Sequence, residues 1–235
     1  MFRTFWIGIL LTGLLIVPSI AQTPKTKPET IPMTQLVERF LQQPDYAADQ
    51  TLTLNGKASH KKYAQKGKKI REVFYLLEDV ENLKDESFRQ YPLIALRGIQ
   101  PTPVFLDPQT KVYADVQANV PVSPVDMAML LRNLPAEVKQ SNAVKLESVT
   151  IAGLKATHYR VAFPGEKAGL HFYVSDDPSG LLLKFESDPE TGLQGSFVCS
   201  NISFEIPDEW FQIPSDYRKV ELKTLMLDVK QKATR

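Results

Sequence analysis

The chain has 235 residues, with 28 Lys and Arg against 27 Asp and Glu, for a formal net charge of +1. That balance argues against a dedicated nucleic-acid binder, which needs a strong positive field. A hydrophobic fraction of 43% excludes a wholly disordered chain, and a single Cys excludes both an internal disulfide framework and a CxxC zinc site.

Residues 1–21 read MFRTFWIGILLTGLLIVPSIA. One positive charge, Arg3, precedes an apolar run from Phe5 to Val17, shorter than the roughly 20 residues of a membrane span. Pro18 breaks the run, and Ser19 and Ala21 place small residues at a cleavage site. The segment is expected to be a cleaved secretory signal peptide, and so to send the chain to the periplasm. No Cys lies near the cleavage site, which excludes a lipid anchor on the new N-terminus. Residues 22–32, QTPKTKPETIP, are rich in Pro and Lys and are expected to form a flexible leader. Residues 33–235 are expected to form one domain, long enough to bury a single core.

From Met33 the pattern becomes helical. Leu36, Val37, Phe40 and Leu41 form one stripe, Thr30 or Thr34 is the expected cap, and Pro44 ends the helix. Thr51 to Leu54 then alternate as a strand, and Asn55-Gly56 signals a turn. Residues 63–77 read as a second long strand, and 78–92 as an acidic, irregular stretch. Residues 93–106 read as a third strand and a fourth, interrupted by Gly98, Pro101 and Pro103, and that stretch as an edge or a loop, because Pro donates no ladder hydrogen bond.

Three turns begin with Asp-Pro: Asp107-Pro108, Asp177-Pro178 and Asp188-Pro189. Each is expected to use its Asp as a local hydrogen-bond acceptor and its Pro to fix φ. Phe172 and Val174, then Leu181, Leu183 and Phe185, then Val198, Ile202, Phe204 and Ile206 alternate on the flanking strands. Consecutive short strands joined by tight turns mean an antiparallel meander. Ser123-Pro124-Val125-Asp126 opens a second helix, with Met127, Met129, Leu130 and Leu134 on or beside its apolar face. Residues 218–232 fit either a helix or a strand end. The sum is an α+β fold: a strongly curved antiparallel sheet, an incomplete β-barrel, with helices packed on its concave face.

Catalytic signatures are absent: there is no Gly-x-Ser-x-Gly elbow, phosphate-binding loop, dinucleotide fingerprint or His-Glu-x-x-His. Cys199 sits mid-strand, where a thiol is a small hydrophobe. Asp176, Asp177 and Asp188 form a weak hydrolase alternative, since each has a turn role. A hairpin turn at 164–169 sets His158 opposite Ser175 and His171 opposite Ala162, too far apart to share a metal. No enzyme activity, metal or cofactor is expected.

Two features point to binding. Lys57, His60, Lys61, Lys62, Lys66, Lys68, Lys69 and Arg71 fall in fifteen residues without an acid. Within them Lys61, Lys62, Lys68, Lys69 and Arg71 are the candidate contact for an envelope protein or an anionic headgroup. The opposing reading is a solvated hairpin whose Lys residues blunt an edge. The second feature is an apolar set, Phe40, Met127, Met129, Leu130, Phe172, Leu183 and Phe185, the candidate lining for a lipid or acyl chain. Whether the space between sheet and helices is filled or hollow is not set by the sequence.

The segment from Tyr173 to Phe185, YVSDDPSGLLLKF, resembles a hairpin of the periplasmic lipoprotein-carrier (LolA-like) proteins. Asn201-Ile-Ser-Phe-Glu-Ile-Pro and Trp210-Phe-Gln-Ile-Pro-Ser-Asp-Tyr217 resemble that superfamily's last strand and closing element. The resemblance spans residues 33–220. It implies a curved, incomplete barrel with helices over its mouth, holding lipid or acyl chains or serving as a sensor or scaffold. It also implies a functional arginine, for which Arg71 is the candidate. The expected function is a monomeric periplasmic binding or carrier protein for an apolar ligand. The alternative is an envelope interaction or sensor module working through the 57–71 hairpin.

Overall fold

Strands whose alternate side chains are apolar must lay one row of them against a cover, and most of the thirteen strands among the described residues are of this kind. The computed structural model describes residues 28–54, 56–75, 92–116, 134, 136–163, 165, 167–177, 180–191 and 195–233. The expected signal peptide, the leader up to residue 27, the acidic stretch 78–91, and the second helix with Met127, Met129 and Leu130 lie outside these residues.

The strands are β1 (Thr30–Pro32), β2 (Tyr46–Leu54), β3 (Lys57–Lys66), β4 (Lys69–Tyr75), β5 (Pro92–Arg97), β6 (Val104–Asp107) and β7 (Val112–Asp115). They continue with β8 (Asn142–Ile151), β9 (Leu154–Ala162), β10 (Gly169–Ser175), β11 (Leu182–Ser187), β12 (Gly195–Ser203) and β13 (Arg218–Lys219). The described α-helices are α1 (Met33–Leu41), α2 (Ala136–Lys139) and α3 (Leu222–Ala233). All strands join one open, curved sheet in the order β1-β8-β9-β10-β11-β12-β2-β3-β4-β5-β6-β7-β13. Every pairing is antiparallel except β13 on β7. The expected α+β class and curved antiparallel sheet therefore hold.

Both longer helices pack on the same, inner face. Phe172, Phe185, Phe197 and Leu52 stand directly opposite one another across β10, β11, β12 and β2. Phe40 of α1 stacks on Phe172 with ring centroids 5.6 Å apart, and Phe172 meets Phe185 at 5.3 Å. Met33, Leu36 and Phe40 are the buried positions of α1, whereas Leu41, expected in the stripe, is exposed. At the other end Leu225 and Val229 of α3 pack on Leu93, Ala95, Phe105, Val112 and Ala114.

The outer face of the central strands is covered too. Residues after β12 run back over it: Ile206 and Phe211 pack on Ala47 and Ala64, while Ile213 and Tyr217 pack against Leu96, Val104 and Leu106. The expected closing element is thus the outer cover.

Two local expectations, the α1 cap and the single strand at 63–77, are corrected. Neither Thr30 nor Thr34 caps α1. Pro32 occupies the cap position without a side-chain hydrogen bond, and the Met33 N–H donates to the Ser141 carbonyl at 3.0 Å. The single long strand at 63–77 is interrupted by a turn at Gly67 and Lys68, where Gly67 takes φ +58°. Residues 218–232 are both strand and helix, β13 followed by α3. Of the Asp-Pro turns, Asp107 behaves as expected, its Oδ1 accepting the Gln109 N–H at 2.9 Å. Asp188 accepts the Gly169 N–H at 2.8 Å, across the sheet.

The stacked aromatic row fixes a stability contrast. Phe172→Ala is expected to cost about 3–5 kcal/mol in urea denaturation, from lost burial and the cavity left behind. Val198→Ala, at an exposed position of the same sheet, is expected to stay within about 0.5 kcal/mol of the parent.

Candidate functional site

Between the apolar clusters under α1 and α3, the inner face turns polar. Strand alternation from Ala48 through Tyr63, Glu72 and Ala95 places Gln50, Lys61 and Arg97 on that same face. Glu72 is fully buried. Its Oε1 accepts from Lys61 Nζ at 2.7 Å and its Oε2 from Arg97 Nη2 at 2.7 Å. One carboxylate thus bridges two cations from adjacent strands. The bridge answers the desolvation of a buried charge, which is severe unless the charge is paired and hydrogen-bonded.

A second polar group adjoins it. Tyr46 and Tyr63 lie with ring centroids 5.3 Å apart, and Lys61 Nζ sits 5.5 Å from the Tyr63 ring centre. Gln50 Nε2 donates to the Tyr46 hydroxyl at 3.1 Å, and the Tyr63 hydroxyl donates to Gln65 Oε1 at 2.8 Å. Burial, then the neighbouring Tyr63, pushes the Tyr46 phenol well above its usual range. Cys199, opposite Gln50 in the ladder, is buried, and burial pushes its thiol up to about 12. A thiol so desolvated is a poor nucleophile at neutral pH. The inner face is therefore amphipathic, with apolar ends and a buried, hydrogen-bonded centre.

Four of the seven apolar candidates come together here. Phe40, Phe172, Leu183 and Phe185 share one buried cluster, while Met127, Met129 and Leu130 lie outside the described residues. The five basic candidates do not form one surface. Lys61 faces inward, its side chain only 14% exposed, bound to Glu72. Lys62 points outward and pairs with Asp49 at 3.1 Å. Arg71 lies on the outer face, 5.6 Å from the Trp210 ring centre, so it is not an inward-facing arginine. Lys68 and Lys69 are exposed at the β3–β4 turn. The inward arginine is Arg97. It and Glu72 are the residues the sequence reading passed over. The available signal was a lone acid in the otherwise apolar second half of β4, Glu72 between Arg71 and Val73.

The histidine register is also corrected. His158 stands opposite Tyr173 and His171 opposite Arg160, two residues from the expected pairing. Gly169 is not a loop residue but the first paired residue of β10. A Cβ there would lie 2.6 Å from the Val161 carbonyl oxygen, so its lack of a side chain lets the strands close one step earlier. His158 and His171 are therefore diagonal neighbours, in contact through their rings.

No protein-family model matches the chain, and no curated protein matches it. Among solved structures it is similar to MucB in complex with MucA(peri), at 12% identity and TM-score 0.47, covering 80% of this chain and 61% of that one. It is similar to a Pseudomonas aeruginosa MucA/MucB complex chain at 16% identity and TM-score 0.45, covering 80% and 63%. A DUF1329 family protein from Desulfovibrio piger aligns at 10% identity and TM-score 0.25, covering 77% and 95%. At such identity and TM-score these proteins give this chain neither a ligand nor a partner.

Glu72→Gln leaves Lys61 and Arg97 facing each other without their shared anion. It is expected to lower unfolding free energy by about 3–5 kcal/mol, read by urea denaturation. The Cys199 thiol is expected to stay unreactive to a disulfide reagent at about pH 8 in the folded protein and to react fully once the chain is unfolded in guanidinium.

Proposed function

We propose that this chain is an exported periplasmic binding or carrier module that holds a lipid or other apolar ligand against the inner face of its sheet, without catalysing a reaction. The observation that carries the reading is the amphipathic inner face, with apolar rows at both ends and the Glu72-centred polar belt between them. Each buried CH₂ of an acyl chain contributes about 0.8 kcal/mol, so such a surface needs no reactive group to bind tightly. The signal-like first 21 residues and the resemblance to lipoprotein carriers point the same way.

Phe40 seals the aromatic row. A ligand that reaches Phe172 and Phe185 therefore displaces α1, a nine-residue helix without a side-chain cap. Among the described residues no helix is long and apolar enough to cross a membrane. A second reading, contact with an envelope protein or anionic headgroup at the 57–71 hairpin, rests on the exposed Lys68 and Lys69 at its turn.

Native mass spectrometry of residues 22–235 recovered from a bacterial envelope tests the proposal. A discrete added mass that extracts into organic solvent as lipid is the expected result. Protein that arrives bare and also rejects fluorescent fatty-acid probes overturns it. Capture of an envelope partner that is lost in Lys68→Glu/Lys69→Glu would then establish the second reading.

A further inference from the structure

The outer face of β8 to β11 carries a continuous chain of four ionisable side chains that ligand binding on the inner face does not use. Glu147 Oε1 lies 3.0 Å from His158 Nδ1. His158 Nε2 lies 2.7 Å from His171 Nδ1. His171 Nε2 lies 3.0 Å from Asp188 Oδ1. The order is carboxylate, imidazole, imidazole, carboxylate. The 2.7 Å between ring nitrogens is a hydrogen bond. Two ligands about 2.0–2.1 Å from one tetrahedral ion would stand roughly 3.3 Å apart.

Three contacts need three protons between them. Both end carboxylates are ionised. The hydrogen bond from His158 holds Glu147 below the usual carboxylate range. Desolvation would raise Asp188, but Arg160 and His171 outweigh it and hold the carboxyl low. Two neutral imidazoles carry only two N–H groups. We propose that the two rings together hold a third proton, and that this proton latches Glu147, and with it a bulge in β8, onto the outer face of β9 and β10.

The bulge is where the latch acts. Lys145 pairs with Tyr159 and Ser148 with Thr157, so Leu146 and Glu147 together face the single residue His158. A bulge of this kind re-aims a side chain, here Glu147 toward the His158 ring. The other groups facing the pair are Arg160 from β9, Tyr173 from β10, and Lys184 and Glu186 from β11. Tyr173 stacks on His158 at 4.3 Å and donates to Glu186 at 2.6 Å, and Lys184 pairs with Glu186 at 2.7 Å. Arg160 pairs with Asp188 at 3.2 Å.

The sign follows from the proton count. When the third proton leaves as pH rises, one of the three contacts becomes lone pair against lone pair and opens. Asp188 is still held by Arg160 and the Gly169 N–H. Glu147, 66% exposed, is the end that swings free. A fourth proton at acidic pH would set two N–H groups against each other across 2.7 Å and part the rings. The latch is closed while the pair is singly protonated. It is independent of the ligand proposed for the inner face.

Isotope-edited NMR of the processed full chain, titrated from about pH 8 to pH 5, reads the device directly. At the closed state three of the four ring nitrogens of His158 and His171 should carry protons. The backbone amides of 146–148 should shift in step with the rings. In Asp188→Asn the amide oxygen keeps Gly169 and Arg160, and the amide nitrogen donates to His171. That substitution supplies the missing proton, so the pair should fall to two ring protons with the amides of 146–148 no longer titrating. Glu147→Gln should do the same from the other end. Two ring protons in the parent, amides of 146–148 that ignore the histidine titration, or variants that titrate as the parent would each overturn the latch.

Discussion

A sheet whose central strands are buried on both faces needs two covers, and everything else in this molecule is arranged to supply them. Ala47 and Ala48, Leu96 and Ala95, and Val104 and Phe105 are consecutive buried residues facing opposite ways. Inside, the covers are α1 and α3. Outside, residues 204–217 do the same work. Small residues mark the places of closest approach: Ala64 beneath Phe211 on one face, Ala95 and Ala114 beneath Leu225 and Val229 on the other.

The inner cover gives the molecule its chemical character. A face that was apolar throughout would collapse onto its helices as an ordinary core. Here Glu72, Lys61 and Arg97 break that face at mid-sheet with a charge-assisted pairing. Such pairings add little net stability over an apolar replacement, but they are costly to break singly. They set a buried, hydrogen-bonded group in the middle of an otherwise apolar face.

The strands, the meander and the Asp107 turn were legible in the sequence because alternation and turn chemistry are local signals. The facing of single residues was less so. Arg71 and Glu72 are neighbours in sequence and lie on opposite faces, and which of them points inward depends on a register that strand membership alone does not give. A two-residue offset in the pairing of β9 with β10 separated His158 from His171. It was resolved by Gly169, whose role as a paired strand residue depends on a neighbouring backbone that no local pattern reveals. Lys61 read as part of a solvated run because charge counting along the chain does not see Glu72 eleven residues later. The cap of α1 was misassigned for a related reason. The partner of Met33 is the Ser141 carbonyl, more than a hundred positions away.

The last residues pass from one face of the sheet to the other. Residues 204–217 lie outside, β13 turns the corner at the edge beside β7, and α3 lies inside. A chain synthesised from its N-terminus would therefore expose the apolar residues on both faces of β5 to β7 until this segment arrived. Until then the protein would be an unsealed sheet, a species prone to aggregate. A stop codon a few dozen residues early would leave that state permanent. Residues 204–229 come late in the sequence yet cover both faces, so sealing the sheet waits on them.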